Sequence, residues 1–449
     1  MQFQTELALS RFGLGAAPGE IDRASGDPIA YLLDGLKDPD PLPGRKLYSS
    51  SHVIKQFLTY RRSRDARRKK AGGKVKRMSQ NPAITAYRAE LRSRLKAFSD
   101  SQTPFVERLA MFWADHFTVS ARSPRIAGIA GSFEREAIRA NMGGNFADML
   151  LAVAKHPAML LYLNNAESIG PNSRVGKRRN RGLNENLARE LLELHTLGVD
   201  GGYSLDDIQE LAKAITGWSV AGPKAKKYQT GKFYFRLRAH EPGSRTLLGH
   251  TYEASRSAKT GERVLHDMAH HPATARFIAR KLATYFVSDT PSQALVDALE
   301  TAFIKNHGEL MPVYEALLNH PDAWLVEPGK SKTPIDFVAS TIRGLSDNKH
   351  GKFWIDGLQT NGQKYWAPPS PAGWPNDTAT WATSDGLKTR LDFAVTIAAG
   401  AANLYDPPEL ARQMLGNALH RETALAISRA ANRKQGIALL LMSPEFQRR

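Results

Sequence analysis

Apolar residues spaced by three and four dominate this chain. Phe105, Leu109, Phe112, Trp113, His116 and Phe117 recur at those intervals, which puts them on one face of a helix, whereas a strand would need alternation at two. Phe146, Met149, Leu150 and Val153 repeat the pattern, as do Leu187, Leu191, Leu194 and Leu197. Ser204 with Asp207, ahead of Leu211, marks a helix start. Further helices are expected over 274–287, 291–304, 310–318, 334–345, 394–402, 408–415 and 423–442. The fold class that follows is mainly α: one large multi-helix domain over 1–449 with long irregular loops.

Two stretches break the pattern. Lys232-Phe233-Tyr234-Phe235-Arg236-Leu237-Arg238 alternates and is aromatic, and after Pro242-Gly243 comes Arg245-Thr246-Leu247-Leu248-Gly249. A small β-hairpin insertion at 228–252 is expected there. Residues 365–381 are rich in proline and tryptophan and are expected to form an ordered aromatic loop.

Net charge is +18, and it is local. Ten Lys/Arg against one Asp lie between Arg61 and Arg77, five more lie between Arg174 and Arg181, and Lys224, Lys226 and Lys227 form a third group. Residues 61–80 are expected to be a mobile basic segment or an exposed helical extension. Cationic patches concentrate anionic partners. Nucleic acid is the weakest candidate, because the 61–77 run has no interleaved aromatics, as base stacking requires.

There are no cysteines, which excludes disulfides, thiolate metal sites, iron–sulfur clusters and a cysteine nucleophile. No run of about 18 apolar residues predicts a membrane span. The first residues lack a basic segment followed by an apolar one, so no secretory signal is expected and the cytoplasm is the default compartment. Phosphate-binding loops, His-Glu-x-x-His, Gly-x-Ser-x-Gly and dinucleotide fingerprints are all missing.

The richest chemistry lies in Asn184-Glu185-Asn186-Leu187-Ala188-Arg189-Glu190-Leu191-Leu192-Glu193-Leu194-His195. On a regular helix Asn186, Glu190 and Glu193 project within about 40° of each other. Two carboxylates in one half-buried site push their pKa values apart, making one an acid and the other a base. Glycosidic hydrolysis uses such a pair. A polysaccharide lyase would set His116 or Arg189 beside a neutralised carboxylate. A divalent metal on His116, Glu190 and Glu193 is a minority reading, and no cofactor is otherwise expected. A buried arginine–carboxylate network that only fixes packing fits the same residues. Trp218, Trp366, Trp374 and Trp381 lie in or near Gly- and Pro-containing turns, where an indole can stack on a sugar or anchor a loop. His156 and His271 each precede Pro-Ala and are read as helix-start residues.

Several segments together are similar to one bacterial family. They are Arg11-Phe12-Gly13-Leu14-Gly15, Glu107 through Phe117, His156 through Leu163, Asn184 through Gly198, Thr216-Gly217-Trp218, His271 through Leu282, and Pro368-Pro369 with Gly373-Trp374-Pro375. In this order they resemble the family called domain of unknown function 1800, over essentially the whole chain. The resemblance implies a helical protein, often exported and often encoded beside a sulfatase-like partner, and it implies no particular reaction. Family members often carry a histidine where this chain has Ala114, and His-Asp where it has His240-Glu241. The family pattern also sets His116 beside Trp113 and Asp115.

The expected function is an enzyme, a glycoside hydrolase or polysaccharide lyase, acting on a glycan, plausibly an anionic one, by carboxylate acid–base catalysis. Glu190, Glu193 and His116 are the candidate catalytic residues, and Asn186, Arg189, Trp113, Asp115, Trp218 and Trp374 the candidate substrate contacts. The alternative is a non-catalytic binding or assembly protein working with the sulfatase-like partner.

Overall fold

Helix Pro104–His116 is the axis around which the chain is built. Proline at its first position costs no hydrogen bond, and Glu107 in the first turn suits the positive end of the helix dipole. The helix stops where Phe117 leaves helical geometry, and the Thr118 hydroxyl donates to the freed Asp115 carbonyl. The apolar spacing predicts one buried face, but ten of the thirteen residues are buried, Glu107 and Arg108 among them. The computed structural model describes residues 4–36, 42, 47–70, 80–179, 182–225, 229–327, 329–347 and 349–449, with 70 and 179 as backbone only.

Helices Pro272–Phe286, Gln293–Lys305 and Leu310–Asn319 pack in sequence, and the first and third meet the axial helix through rings. Phe105 lies edge-on to Phe286 at 5.7 Å, Phe112 lies 5.2 Å from Tyr285, and the Trp113 indole donates to the Tyr314 hydroxyl at 2.7 Å. Helix Pro82–Asp100 packs on Pro124–Phe133 and on Pro334–Gly344. Ser384–Ala401 and Arg433–Met442 close the C-terminal end. One contiguous buried apolar cluster runs from Ala8 to Phe446 through all of these.

The charges inside this core are paired. Glu107 takes both Arg94 and Arg139, and those two arginines also share Glu134. The Trp366 indole donates to the second Glu134 oxygen at 2.9 Å. Arg108 binds Asp336 at 3.0 Å and the Gly13 carbonyl, while Arg449 reaches the other Asp336 oxygen at 3.1 Å. Arg343 binds Glu20 and the Gly15, Phe98 and Ser101 carbonyls. The Arg11-Phe12-Gly13-Leu14-Gly15 segment therefore supplies backbone acceptors to two buried guanidiniums, which is a structural role.

The β-structure differs from the single hairpin expected at 228–252. Phe233–Phe235 pairs back with Trp218–Val220, and Arg245–Leu247 pairs forward with His250–Tyr252. The second pair has a two-residue turn, Leu248-Gly249, with φ positive at both positions, as the twist of a tight hairpin requires. Asp207 holds the strained Leu248 amide at 2.7 Å. Expected helix 423–442 is two helices, Arg421–Ser428 and Arg433–Met442. Of the basic stretch at 61–80, residues 61–70 belong to helix Ser50–Lys70 and 61–69 are exposed, while 71–79 lie outside the described residues. No helix of the described residues is long and apolar enough to cross a membrane.

Replacing Glu107 by Gln leaves two fully buried guanidiniums short of a charge. Loss of one partner from such a network typically costs about 3–5 kcal/mol. Equilibrium urea unfolding is expected to show this for Glu107→Gln. The exposed Lys388–Asp392 pair is the control, and Asp392→Asn is expected to cost less than about 1 kcal/mol.

A candidate acid–base cleft at the end of the axial helix

The Asn184–His195 segment does not stay a regular helix. Asn186–Glu190 is α-helical, and Leu191–His195 continues as a π-helix, a form with one more residue per turn that often marks functional sites. The change turns His195 into the core and leaves the two glutamates nearer the surface. Asn186 is exposed, while Glu190 and Glu193 are half-buried. Arg189 binds Glu193 at 3.1 Å and Glu185 at 3.7 Å. Burial raises the Glu190 carboxyl, the Glu193 charge adds to this, and Arg189 opposes it. Neither glutamate lines the cleft that contains His116. Among the described residues no three carboxylate or imidazole groups gather as a metal would need, so His116, Glu190 and Glu193 are not brought together as ligands.

The structure instead gathers Asp115 and His116 at the end of the axial helix, Arg280, Lys281 and Tyr285 on helix Pro272–Phe286, and Trp374 and Asn376 on the 365–381 loop. These residues line a cleft of about 270 Å³. A smaller cavity of about 60 Å³ adjoins it, sharing Asp115, Tyr285, Trp374 and Asn376, and Ala114 lies on its wall. The loop reaches the helix end because Gly373 sits there. Its φ is +86°, and a Cβ would fall 2.7 Å from an Asp115 carboxylate oxygen, a place where only glycine fits. The next amide, of Trp374, donates to Asp115 at 2.8 Å.

Charge in this cleft is poised. Burial pushes the Asp115 carboxyl up to about 6, against the pull of the Trp374 amide and of Lys281. Burial also lowers the Lys281 ammonium, and Asp115 partly restores it. The ammonium lies 5.5 Å from the Phe277 ring. Burial holds His116 neutral, with Lys281 and His195 adding to the effect. His116 Nε2 lies 3.2 Å from the His195 carbonyl oxygen. A carbonyl only accepts, so Nε2 carries the hydrogen, and the Nδ1 lone pair has no partner.

Other expected contacts lie elsewhere. Trp113 and Trp218 are fully buried and offer no face to a ligand. His156 and His271 start helices, each accepting an amide through Nδ1, from Ala158 at 3.1 Å and Ala273 at 3.2 Å. Glu241 binds Asn172 through both oxygens, and His240 joins Thr216, so this dipeptide ties two loops together. Arg174, Lys177, Arg178 and Lys224 are exposed, whereas Arg181, Lys226 and Lys227 lie outside the described residues. Among the described residues neither of these patches lines the cleft. Sequence reasoning missed Arg280, Lys281 and Tyr285. The signal for them was a lysine at helical spacing between Phe277 and Tyr285 on an otherwise apolar face.

His195, beneath His116, has no partner for either ring nitrogen, and burial holds it down to about 3. The unfolded chain takes up this proton near pH 6.5 and the native state does not. Stability is therefore full above that pH and falls as pH drops toward 3, by up to about 1.4 kcal/mol per unit for the one group. Urea midpoints between pH 7 and pH 4 should fall less steeply in His195→Gln than in the parent chain. Equal slopes would mean that His195 is not held neutral.

No curated protein and no solved structure matches the chain. Residues 7–448 match the family described as protein of unknown function (DUF1800), and the chain belongs to that family.

Proposed function

We propose that this chain is an enzyme acting on an anionic glycan by acid–base catalysis, centred on Asp115, His116 and Lys281. The observation that carries the reading is one cleft lined by a carboxyl, an imidazole whose Nδ1 has no hydrogen-bond partner, and an ammonium, beside Trp374. Glycosidic hydrolysis works with two carboxyl groups across the scissile bond, and this cleft supplies one. Elimination fits better. Lys281 and Arg280 neutralise the carboxylate of a uronic acid unit. His116 Nδ1 takes the proton α to that carboxylate, the electron pair forms the carbon–carbon double bond, and the bond to the leaving oxygen breaks. Asp115, with its proton held to about pH 6, donates to that oxygen. Trp374 offers the sugar a flat apolar face.

The test is a panel of neutral and anionic polysaccharides, with and without chelator, followed by reducing ends and by the ultraviolet absorbance of an unsaturated product. Turnover of anionic polymers only, with unsaturated product, is expected. Removing a general acid typically costs 10²–10⁴-fold, so Asp115→Asn should lower kcat by roughly 10²-fold or more. It should also abolish the fall in rate above about pH 6. The Glu190→Gln, Glu193→Gln double variant should keep nearly the parent rate. Full activity in Asp115→Asn, or loss in the double variant, would return the centre to the two glutamates. No turnover of any polymer would favour a binding or assembly role beside a sulfatase-like partner.

A further inference from the structure

A second cavity, of about 190 Å³, lies between the N-terminal helices and the C-terminal end of the chain. Its cations are unusual. Arg11, Lys332 and Arg449 line it, and each is no more than 3% exposed. Arg108 and Arg390 lie immediately behind Lys332 and Arg449, also fully buried. Among the described residues the buried carboxylate that pairs with this group is Asp336, bound by Arg108 and Arg449. Asp289, half exposed by comparison, is held by Lys330. Glu6 and Glu445 also line the cavity, but they accept from the Asn417 and His420 amides and form no ion pair with these cations. Glu327 is taken by Arg448 at 2.9 Å.

Of these five buried cations, Arg108 and Arg449 are in ion-pair contact with a carboxylate, Asp336, and the shortage shows in Lys332, Arg11, Arg390 and Arg449. Burial lowers Lys332 to about 7, Arg11 to about 10 and Arg390 to about 10, with Arg449 pressing on the first two. Hydrogen-bond donors are also left over. Arg11 Nε, Arg449 Nη1 and the Ser340 hydroxyl are buried without partners and line the cavity, against one buried acceptor without a partner there, Glu445 Oε2. Buried charges and donors of this kind are costly unless something meets them. The remaining walls are apolar, formed by Leu7, Ala16, Met414, Leu415 and Phe446.

We propose that this cavity is a binding site for a small amphipathic anion, with its carboxylate or phosphate head on Arg11, Lys332, Arg449 and Ser340 and its apolar body against Leu7, Met414 and Phe446. The proposal is independent of the Asp115 reading, because the two cavities share no lining residue. The head supplies acceptors to the unpartnered donors of Arg11, Arg449 and Ser340 and a charge to Lys332, and the body replaces water on the apolar walls. The volume is below the ~300 Å³ of the smallest drug-sized sites, which suits a short chain rather than a long lipid.

The experiment measures binding of octanoate, octyl phosphate and inorganic phosphate to the full chain by calorimetry, and the shift in Tm with each, at constant ionic strength. Both alkyl anions are expected to bind and to raise Tm, and the tighter of the two identifies the head group. Inorganic phosphate should bind at least tenfold more weakly. Lys332→Met should fold at least as well as the parent, since it removes an under-compensated cation, yet bind the alkyl anions tenfold more weakly or worse. Ala418→Trp, at a half-buried wall position, fills the cavity while keeping every cation and should abolish binding. Lys281→Met, in the other cleft, should bind as the parent does. The proposal is overturned if neither alkyl anion binds, or if Lys332→Met and Ala418→Trp respond as the parent does, which is the behaviour of a general salt effect on a basic protein. Inorganic phosphate binding as tightly as octyl phosphate would also overturn it, since the apolar walls would then contribute nothing.

Discussion

Two opposite charges, Glu107 and Arg108, stand side by side near the start of a helix that is buried on almost every side. Successive helical residues point about 100° apart, so the two cannot satisfy each other and each must find partners in its own direction. Glu107 draws in Arg94 and Arg139, and through them Glu134 and helix Pro82–Asp100. Arg108 draws in the N-terminal turn at Gly13 and Asp336 on helix Pro334–Gly344. Helices Pro82–Asp100 and Pro334–Gly344, the N-terminal turn, the 365–381 loop and the C-terminal Arg449 are therefore tied, at one or two removes, to the same two residues. Replacing such networks by apolar groups can be neutral for stability, so what they contribute here is placement: each arginine donates to its partners from a rigid planar fork, in one geometry.

That placement is what the cleft depends on. Asp115 and His116 follow Glu107 by two turns on the same rigid helix. The axial helix fixes their direction, and the His195 carbonyl fixes the imidazole tautomer. The 365–381 loop arrives through Trp366, whose indole is bound by Glu134 of the first network. Gly373 then allows the Trp374 amide to close on Asp115. The facing wall, Lys281 and Tyr285, is held by ring contacts of Tyr285 and Phe286 with Phe112. A pocket built this way needs no large motion to become organised, which is the condition under which a displaced pKa serves chemistry.

Much of the scaffold was legible because its periodicity is strong. Helices Phe146–Lys155 and Leu205–Ala214 begin where the apolar spacing and the Ser204 cap put them, and Leu310–Asn319 also ends where expected. The hairpin partner was not legible. Phe233–Phe235 pairs with a strand whose Trp218 is fully buried, and periodicity does not say which neighbour a short strand chooses. The outer half of helix Ser50–Lys70 was open to two readings, a mobile segment or an exposed helix, because it is a charge run with no apolar face. The central motif was legible in part. Glu190 and Glu193 are half-buried neighbours, with Glu190 raised by burial and by the Glu193 charge, as their spacing implies, but the π-turn at Leu191–His195, which carries His195 inward, has no signal in the spacing. Asp115 and Trp374 were both singled out in the sequence as ligand contacts. Their convergence with Lys281 was not visible, because it joins three segments more than ninety residues apart in chain order.

The two cavities are separate in space but not in charge. Asp336 binds Arg108 on the axial helix and Arg449 at the second cavity. The Arg449 guanidinium lies 4.9 Å from the centre of the Tyr285 ring, and Tyr285 lines the Asp115 cleft. One row of side chains therefore runs between the two cavities, and Asp336 holds it by accepting from Arg108 on one side and Arg449 on the other. Removing either arginine would leave the buried carboxylate half-paired, which is why the axial helix and the C-terminal end keep their places together.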